Sequence, residues 1–163
     1  MDEELQQLAA RAAALLVARG ETVAVCESAA GGLVSASLLS VPGASAYYLG
    51  GTVVYTLAAS KALLAGVVQP PEGLRGATED FARYQAQAIR GRLGAVWGTG
   101  ETGATGPTPN RYGDPNGHAW VAVEGPVSRA RKVATGSSDR PANMVAFASA
   151  ALEELIAALE SAG

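Results

Sequence analysis

The sequence predicts an α/β fold: a single three-layer-like domain in which a mixed β-sheet is covered by helices. Three observations point there. Segments with helical periodicity alternate with short apolar runs along the whole chain. The apolar run Val23–Cys26 breaks at Glu27-Ser28 and enters a Gly31-Gly32 pair that opens a helix-like run, Leu33–Leu39. Helical patterns also stand near both ends, Glu3–Arg19 and Pro141–Leu159.

Taken in order, Leu5, Leu8, Ala9, Ala12, Leu15 and Leu16 fall at helical spacing, and Gly20 closes that run. After the first strand and helix, Val41–Ser45 is a turn, and Tyr47–Tyr55 reads as a second strand interrupted by Gly50-Gly51. Ala58–Leu64 is a short helix ending near Gly66, and Pro70-Pro71 marks a surface crossing. Thr78 caps a helix that carries Glu79 and Asp80 in its first turn, where acids suit the helix dipole, and that runs to about Leu93. Ala95–Gly98 is read as a short third strand, and Gly100–Gly117 as the longest irregular stretch, a length expected of a functional loop. His118–Val123 and Arg129–Ala134 form a hairpin around Gly125-Pro126, and the last helix starts with Pro141 in its first turn. Neither an internal repeat nor a linker divides residues 1–163.

Composition narrows the function. The 163 residues are 48% hydrophobic and carry a formal net charge of −3, so no basic footprint calls for nucleic acid. No apolar run is expected to approach the length of a membrane span, and no leader is read at the start. The single Cys26 cannot form an internal disulfide, which makes the cytoplasm the expected compartment. One cysteine and one histidine, His118, leave too few ligands for a structural zinc site. Enzymatic chemistry would rest on hydroxyls, carboxylates, Lys, Arg or Tyr.

The strand–turn–helix at Thr22–Gly32 presents Glu27, Ser28 and free backbone N–H groups beyond the sheet. Glu27-Ser28-x-x-Gly31-Gly32 resembles the Glu-Ser-Cys-Thr-Gly-Gly signature of the CinA C-terminal domain family, nicotinamide mononucleotide amidohydrolases. Pro42-Gly43-Ala44-Ser45-Ala46-Tyr47-Tyr48 resembles its Pro-Gly-Ser-Ser-Ala-Tyr-Phe, and Gly51–Tyr55 its Gly-x-Val-x-Tyr strand. Thr102-Gly103-Ala104-Thr105-Gly106-Pro107 is similar to Thr-Gly-Ile-Ala-Gly-Pro. Pro115-Asn116-Gly117 and Gly136–Arg140 are similar to a later Pro-Val-Gly and to a Gly-Asp-Arg before the last helix. The motifs keep the family's order over nearly the whole chain.

The resemblance implies hydrolysis of the nicotinamide mononucleotide carboxamide to the carboxylate and ammonia, with neither metal nor cofactor, in pyridine-nucleotide salvage. It implies Ser45 as nucleophile and Lys61 as general base, with Ser28 and Tyr55 beside the reacting amide. Thr102 and Arg140 are implied to hold substrate or charge, and Glu27, Gly31, Gly32 and Gly103 complete the expected binding set. The implied partner is a small nucleotide, and homo-oligomerisation is left open. A lysine can serve as base only when neutral, so its pKa must be brought down from about 10.4. Taken alone, the same residues read more plainly: Ser45 as a turn serine, Lys61 as a solvated helix residue, Tyr55 as a half-buried aromatic, Glu27 as a helix cap. Arg140 alone reads as a surface partner of Asp139 or Glu153, and His118 as structural.

Three departures bear on activity. Ala29-Ala30 replace Cys-Thr in the signature turn, removing a thiol and a hydroxyl that could steady Ser28. Tyr55–Lys61 is one residue longer than the family's Tyr-Ser-Asn-Glu-Ala-Lys, so an ungapped register puts Ser60 at the lysine position and an insertion restores Lys61. An arginine common in the last helix's first turn is replaced by Met144. The alternative reading is therefore a weakened or inactive nucleotide-binding relative of the same fold.

Overall fold

The computed structural model describes residues 1–163. Helices α1 (Glu3–Arg19), α2 (Leu33–Leu39) and α5 (Arg140–Ser161) cover one face of the sheet; α3 (Leu57–Leu64) and α4 (Glu79–Leu93) lie on the other. The strands are β1 (Val23–Glu27), β2 (Tyr48–Val53), β3 (Trp97–Ala104), β4 (His118–Glu124) and β5 (Arg129–Ala134), in the order β2-β1-β3-β4-β5. β1 pairs in parallel with β2 and β3, whereas β3-β4 and β4-β5 are antiparallel. This is the expected mixed sheet, in three layers.

Local chemistry explains the boundaries. Asp2 Oδ1 accepts the Leu5 N–H at 3.2 Å to cap α1, and Gly20 ends it in the left-handed region with φ 62°. Thr56 caps α3 through the Ala59 N–H, Thr78 caps α4 through the Phe81 N–H, and Asp139 caps α5 through the Ala142 N–H. The main core joins Leu5, Leu16, Val23, Val25, Trp97, Val121, Phe147 and Leu155 from α1, α5 and the sheet. A second core sets Ala24 and Cys26 of β1 against Tyr84, Ala88 and Ile89 of α4 and Leu64 of α3. Because β1 alternates between the two cores and is fully buried, it forms the centre of the molecule.

Two expected elements need correction. Gly50-Gly51 do not interrupt the second strand; they lie inside β2, pairing with Ala24 and Val25. A Cβ on Gly51 would stand 2.7 Å from the Val25 carbonyl oxygen, so the glycine permits close packing rather than breaking the strand. β3 likewise does not stop at Gly98 but runs to Ala104, and the irregular stretch is shorter than expected. The cause is α4, which lies directly on β3: a Cβ on Gly98 would be 2.1 Å from Ala86 O, and one on Gly100 2.0 Å from Ala82 O. Glycines that read as loop are the floor under a helix. Thr102 and Gly103 consequently sit on a strand.

α5 also overturns the expectation that no run approaches span length. By length and composition it could cross a membrane, yet 67% of its most apolar window is buried inside the domain, which accounts for its hydrophobicity as core packing.

Candidate functional site

β1, β2 and β3 end together at one edge of the sheet, and a cavity of about 390 Å³ opens there. The crevice beyond the carboxyl ends of parallel strands is where α/β sheets receive ligands. Ser28 enters from β1, Tyr55, Thr56 and Leu57 from the β2–α3 connection, and Thr102 and Gly103 from β3. Gly76, Ala77 and Phe81 form a second wall, and Asn110, Arg111 and Tyr112 a third.

The turn that carries Ser28 is fastened from below by two buried carboxylates. Glu27 Oε2 accepts the Val34 N–H and Oε1 the Ser35 N–H, both at 3.0 Å, so Glu27 caps α2, for which Gly32 offers no side chain. Glu101 on β3 directs Oε2 at the Ser28 and Ala30 N–H groups, at 2.9 and 2.8 Å. Burial pushes the Glu101 carboxyl up to about 7, helped by the nearby charge of Glu27 and opposed by the two amides. Its Oε1 is buried with no partner. Ser28 lines the cavity, and its backbone N–H is anchored by Glu101.

The second wall is held as firmly. Ala77 has φ 59°, uncommon without a glycine, and both its backbone groups are bonded. Thr102 Oγ1 accepts its N–H at 2.9 Å. His118 Nε2 lies 3.0 Å from its carbonyl oxygen, which can only accept, so Nε2 carries the proton. His118 is structural, as its residue pattern suggested.

The third wall is the loop between β3 and β4. Asn110 Oδ1 accepts the N–H groups of Tyr112 and Asp114, closing a turn. Arg75 donates to both Asp114 oxygens at 2.7 and 3.3 Å, which holds the Asp114 carboxyl below the usual range. The guanidiniums of Arg75 and Arg111 flank the Tyr112 ring at 4.5 and 4.9 Å from its centroid. Arg140, the first residue of α5, donates to Gly106 O at 2.8 Å and to the Tyr55 hydroxyl at 2.9 Å. It bonds to neither Asp139 nor Glu153 and instead ties the exposed Tyr55 to the loop.

The structure thus brings Ser28, Tyr55, Thr102 and Gly103 to one cavity, with Arg140 linked to it through Tyr55. The remaining expected residues lie elsewhere. Glu27 is buried beneath α2 with both oxygens engaged, and Gly31 and Gly32 lie beside Met144 and Val53, outside the cavity lining. Ser45 is exposed in a 3-10 turn, Ala44–Ala46, before the start of β2. Lys61 is exposed on α3 and lines an adjoining groove of about 500 Å³ with Ser60, Val68, Pro70 and Tyr84, which shares Leu57 and Phe81 with the cavity. β2 alone separates Ser45 from Tyr55 by about 16 Å, at about 3.3 Å per residue. Thr56 caps α3 directly after Tyr55, so Lys61 is the fifth residue of the helix. Cys26 is no candidate nucleophile, because burial raises its thiol pKa far above neutrality.

A covered mixed sheet with a crevice at the ends of its parallel strands, lined by Ser28, Tyr55, Thr102 and Arg111, defines an α/β domain with a polar pocket at the strand ends. The chain belongs to the CinA family: the model of the CinA C-terminal domain matches residues 5–159. A CinA-like protein of Salinibacter ruber is 39% identical over 140 residues, covering 85% of this chain and 34% of the relative. One from Anaeromyxobacter sp. (strain Fw109-5) is 38% identical over 148 residues, 89% of this chain and 36% of the relative. The chain therefore spans about a third of the length of these curated relatives. Among solved structures, a competence/damage inducible protein CihA from Agrobacterium tumefaciens superposes with a TM-score of 0.87 at 28% identity, covering 98% of each chain.

Proposed function

We propose that the chain is a metal-independent amidohydrolase that converts nicotinamide mononucleotide to nicotinate mononucleotide and ammonia. The observation that carries this reading is the cavity itself: Ser28, Tyr55 and Thr102 gather hydroxyls at the strand ends, with Arg111 in the wall and Arg140 bonded to Tyr55. Phe81 adds an apolar aromatic to the lining for a pyridinium ring, and the arginines suit a phosphate. Membership of the CinA family supports the same chemistry.

In this reading a serine oxygen attacks the carboxamide carbon, and ammonia leaves with a proton returned by the base. Water then cleaves the acyl-serine ester to release the carboxylate. The family resemblance assigns these roles to Ser45 and Lys61. Since Ser45 lies at the far end of β2 from the cavity of its own chain, a second copy has to deliver it. Mixing Ser45→Ala with Lys61→Ala protein tests this: each variant alone releases no ammonia, and the mixture regains part of the wild-type rate. Full activity of Ser45→Ala removes Ser45 as nucleophile.

The placement of Lys61 favours a second reading, a nucleotide-binding relative without the base. Lys61 lines the neighbouring groove, and Ser60 holds the ungapped lysine position. Calorimetric titration with nicotinamide mononucleotide, beside ammonia release on the same preparation, separates the two. Binding with turnover supports the amidohydrolase, and binding without turnover supports the relative.

A further inference from the structure

We propose that Glu101 is a positioning residue for the Ser28 hydroxyl, holding the Ser28 and Ala30 amides from the adjacent strand where Ala29 and Ala30 offer no side-chain hydrogen bond. This rests on the reading that Ser28 faces the reacting carboxamide.

Four observations carry it. Glu101 is fully buried, although a carboxyl is costly to bury and no lysine or arginine pairs with it. One oxygen receives two amides of a single turn, at 2.9 and 2.8 Å, across the β1–β3 pairing. Those amides belong to the residue that lines the cavity and to Ala30, whose own side chain offers the turn no hydrogen bond. The second oxygen is unpartnered, so the carboxyl fits no other hydrogen-bonding task.

The surroundings decide its charge. Glu27 of β1 acts on Glu101 by repulsion, and the Cys26 thiol is the other ionisable group coupled to it. α2 carries no charged residue, α5 places Met144 at the turn, and β4 pairs Val121 with Glu101. With a proton on Oε1 the carbonyl-like Oε2 still accepts both amides; ionised, it grips them harder. The grip on Ser28 therefore tightens as pH rises through about 7.

The test compares wild type, Glu101→Gln and Glu101→Ala, first by amide hydrogen exchange. The glutamine oxygen keeps an acceptor, so Glu101→Gln retains protection at Ser28 and Ala30. Glu101→Ala speeds exchange there by about tenfold or more and leaves α1 and β4 unchanged. Unchanged protection of both amides in Glu101→Ala overturns the proposal. In ammonia release, Glu101→Ala lowers kcat about tenfold or more with KM within about twofold, and Glu101→Gln recovers most of it. A wild-type kcat in Glu101→Ala overturns the positioning role. If wild type releases no ammonia, the amidohydrolase reading fails, and exchange alone judges the clamp. If Glu101→Ala does not fold, amide shifts decide: those of Ser28 and Ala30 titrate together near pH 7 in wild type and not in Glu101→Gln. The same titration in both proteins, or none in either, overturns the proposal.

Discussion

Glu27 and Glu101 are buried on adjacent strands, each held by two backbone amides and neither paired with a cation. The sequence marks Glu27, because it follows an apolar strand and precedes a Gly-Gly pair. It hides Glu101, because Gly100, Gly103 and Gly106 make that segment read as a loop, where a carboxylate would be solvated. The missed signal is a period of two: Trp97, Thr99 and Glu101 share the face of β3 that looks toward α5. Burial has a consequence for stability. Glu101 binds its proton more tightly folded, at about 7, than unfolded. Its contribution is fully present below the unfolded carboxyl range and is lost as pH rises through about 7. Glu101→Gln should remove that loss, so that the variant gains on wild type between about pH 5 and 8 by on the order of 3 kcal/mol. Denaturant titrations across that range check it. A constant difference would show that Glu101 does not titrate there. Arg140 gives a second prediction, since its planar fork spans Gly106 O and the Tyr55 hydroxyl. Arg140→Lys should weaken nicotinamide mononucleotide binding more than binding of the dephosphorylated riboside, and equal losses would take the phosphate out of Arg140's reach.

Helix caps and hairpin turns were legible because their chemistry is local: Thr78, Gly20, Gly94 and the Gly125-Pro126 turn each act within a few residues. β3 was not, because its glycines answer to α4, which precedes it by only a short turn but packs across its length. Gly100→Ala should therefore be far costlier than its size suggests. The added carbon would meet the Ala82 carbonyl at 2.0 Å, and backbone cannot step aside as a flexible side chain can. A loss of at least about 2 kcal/mol is expected in chemical denaturation, with α4 and β3 shifting apart. A neutral substitution would mean that α4 does not rest on β3. Asp139→Ala is the milder companion, since it removes only the cap of α5 and should cost about 1 kcal/mol.

At the scale of the whole molecule, one edge of the sheet collects the hydroxyls and arginines, while Ser45 stays before β2 and Lys61 in the next groove. No spacing along the sequence could have revealed this, because residues close in sequence lie at opposite ends of a strand. α5 shows the same limit in reverse: its composition fits a membrane, and only the fold shows that a sheet covers it. The central claim is that the cavity of about 390 Å³ receives a phosphate-bearing nicotinamide nucleotide. The measurement that tests it most directly is a crystal structure with nicotinamide mononucleotide bound. The account predicts the carboxamide beside Ser28 and Thr102, with the phosphate within hydrogen-bond distance of Arg111 or Arg140. Ligand found instead against the Gly31-Gly32 turn, with this cavity empty, would contradict it.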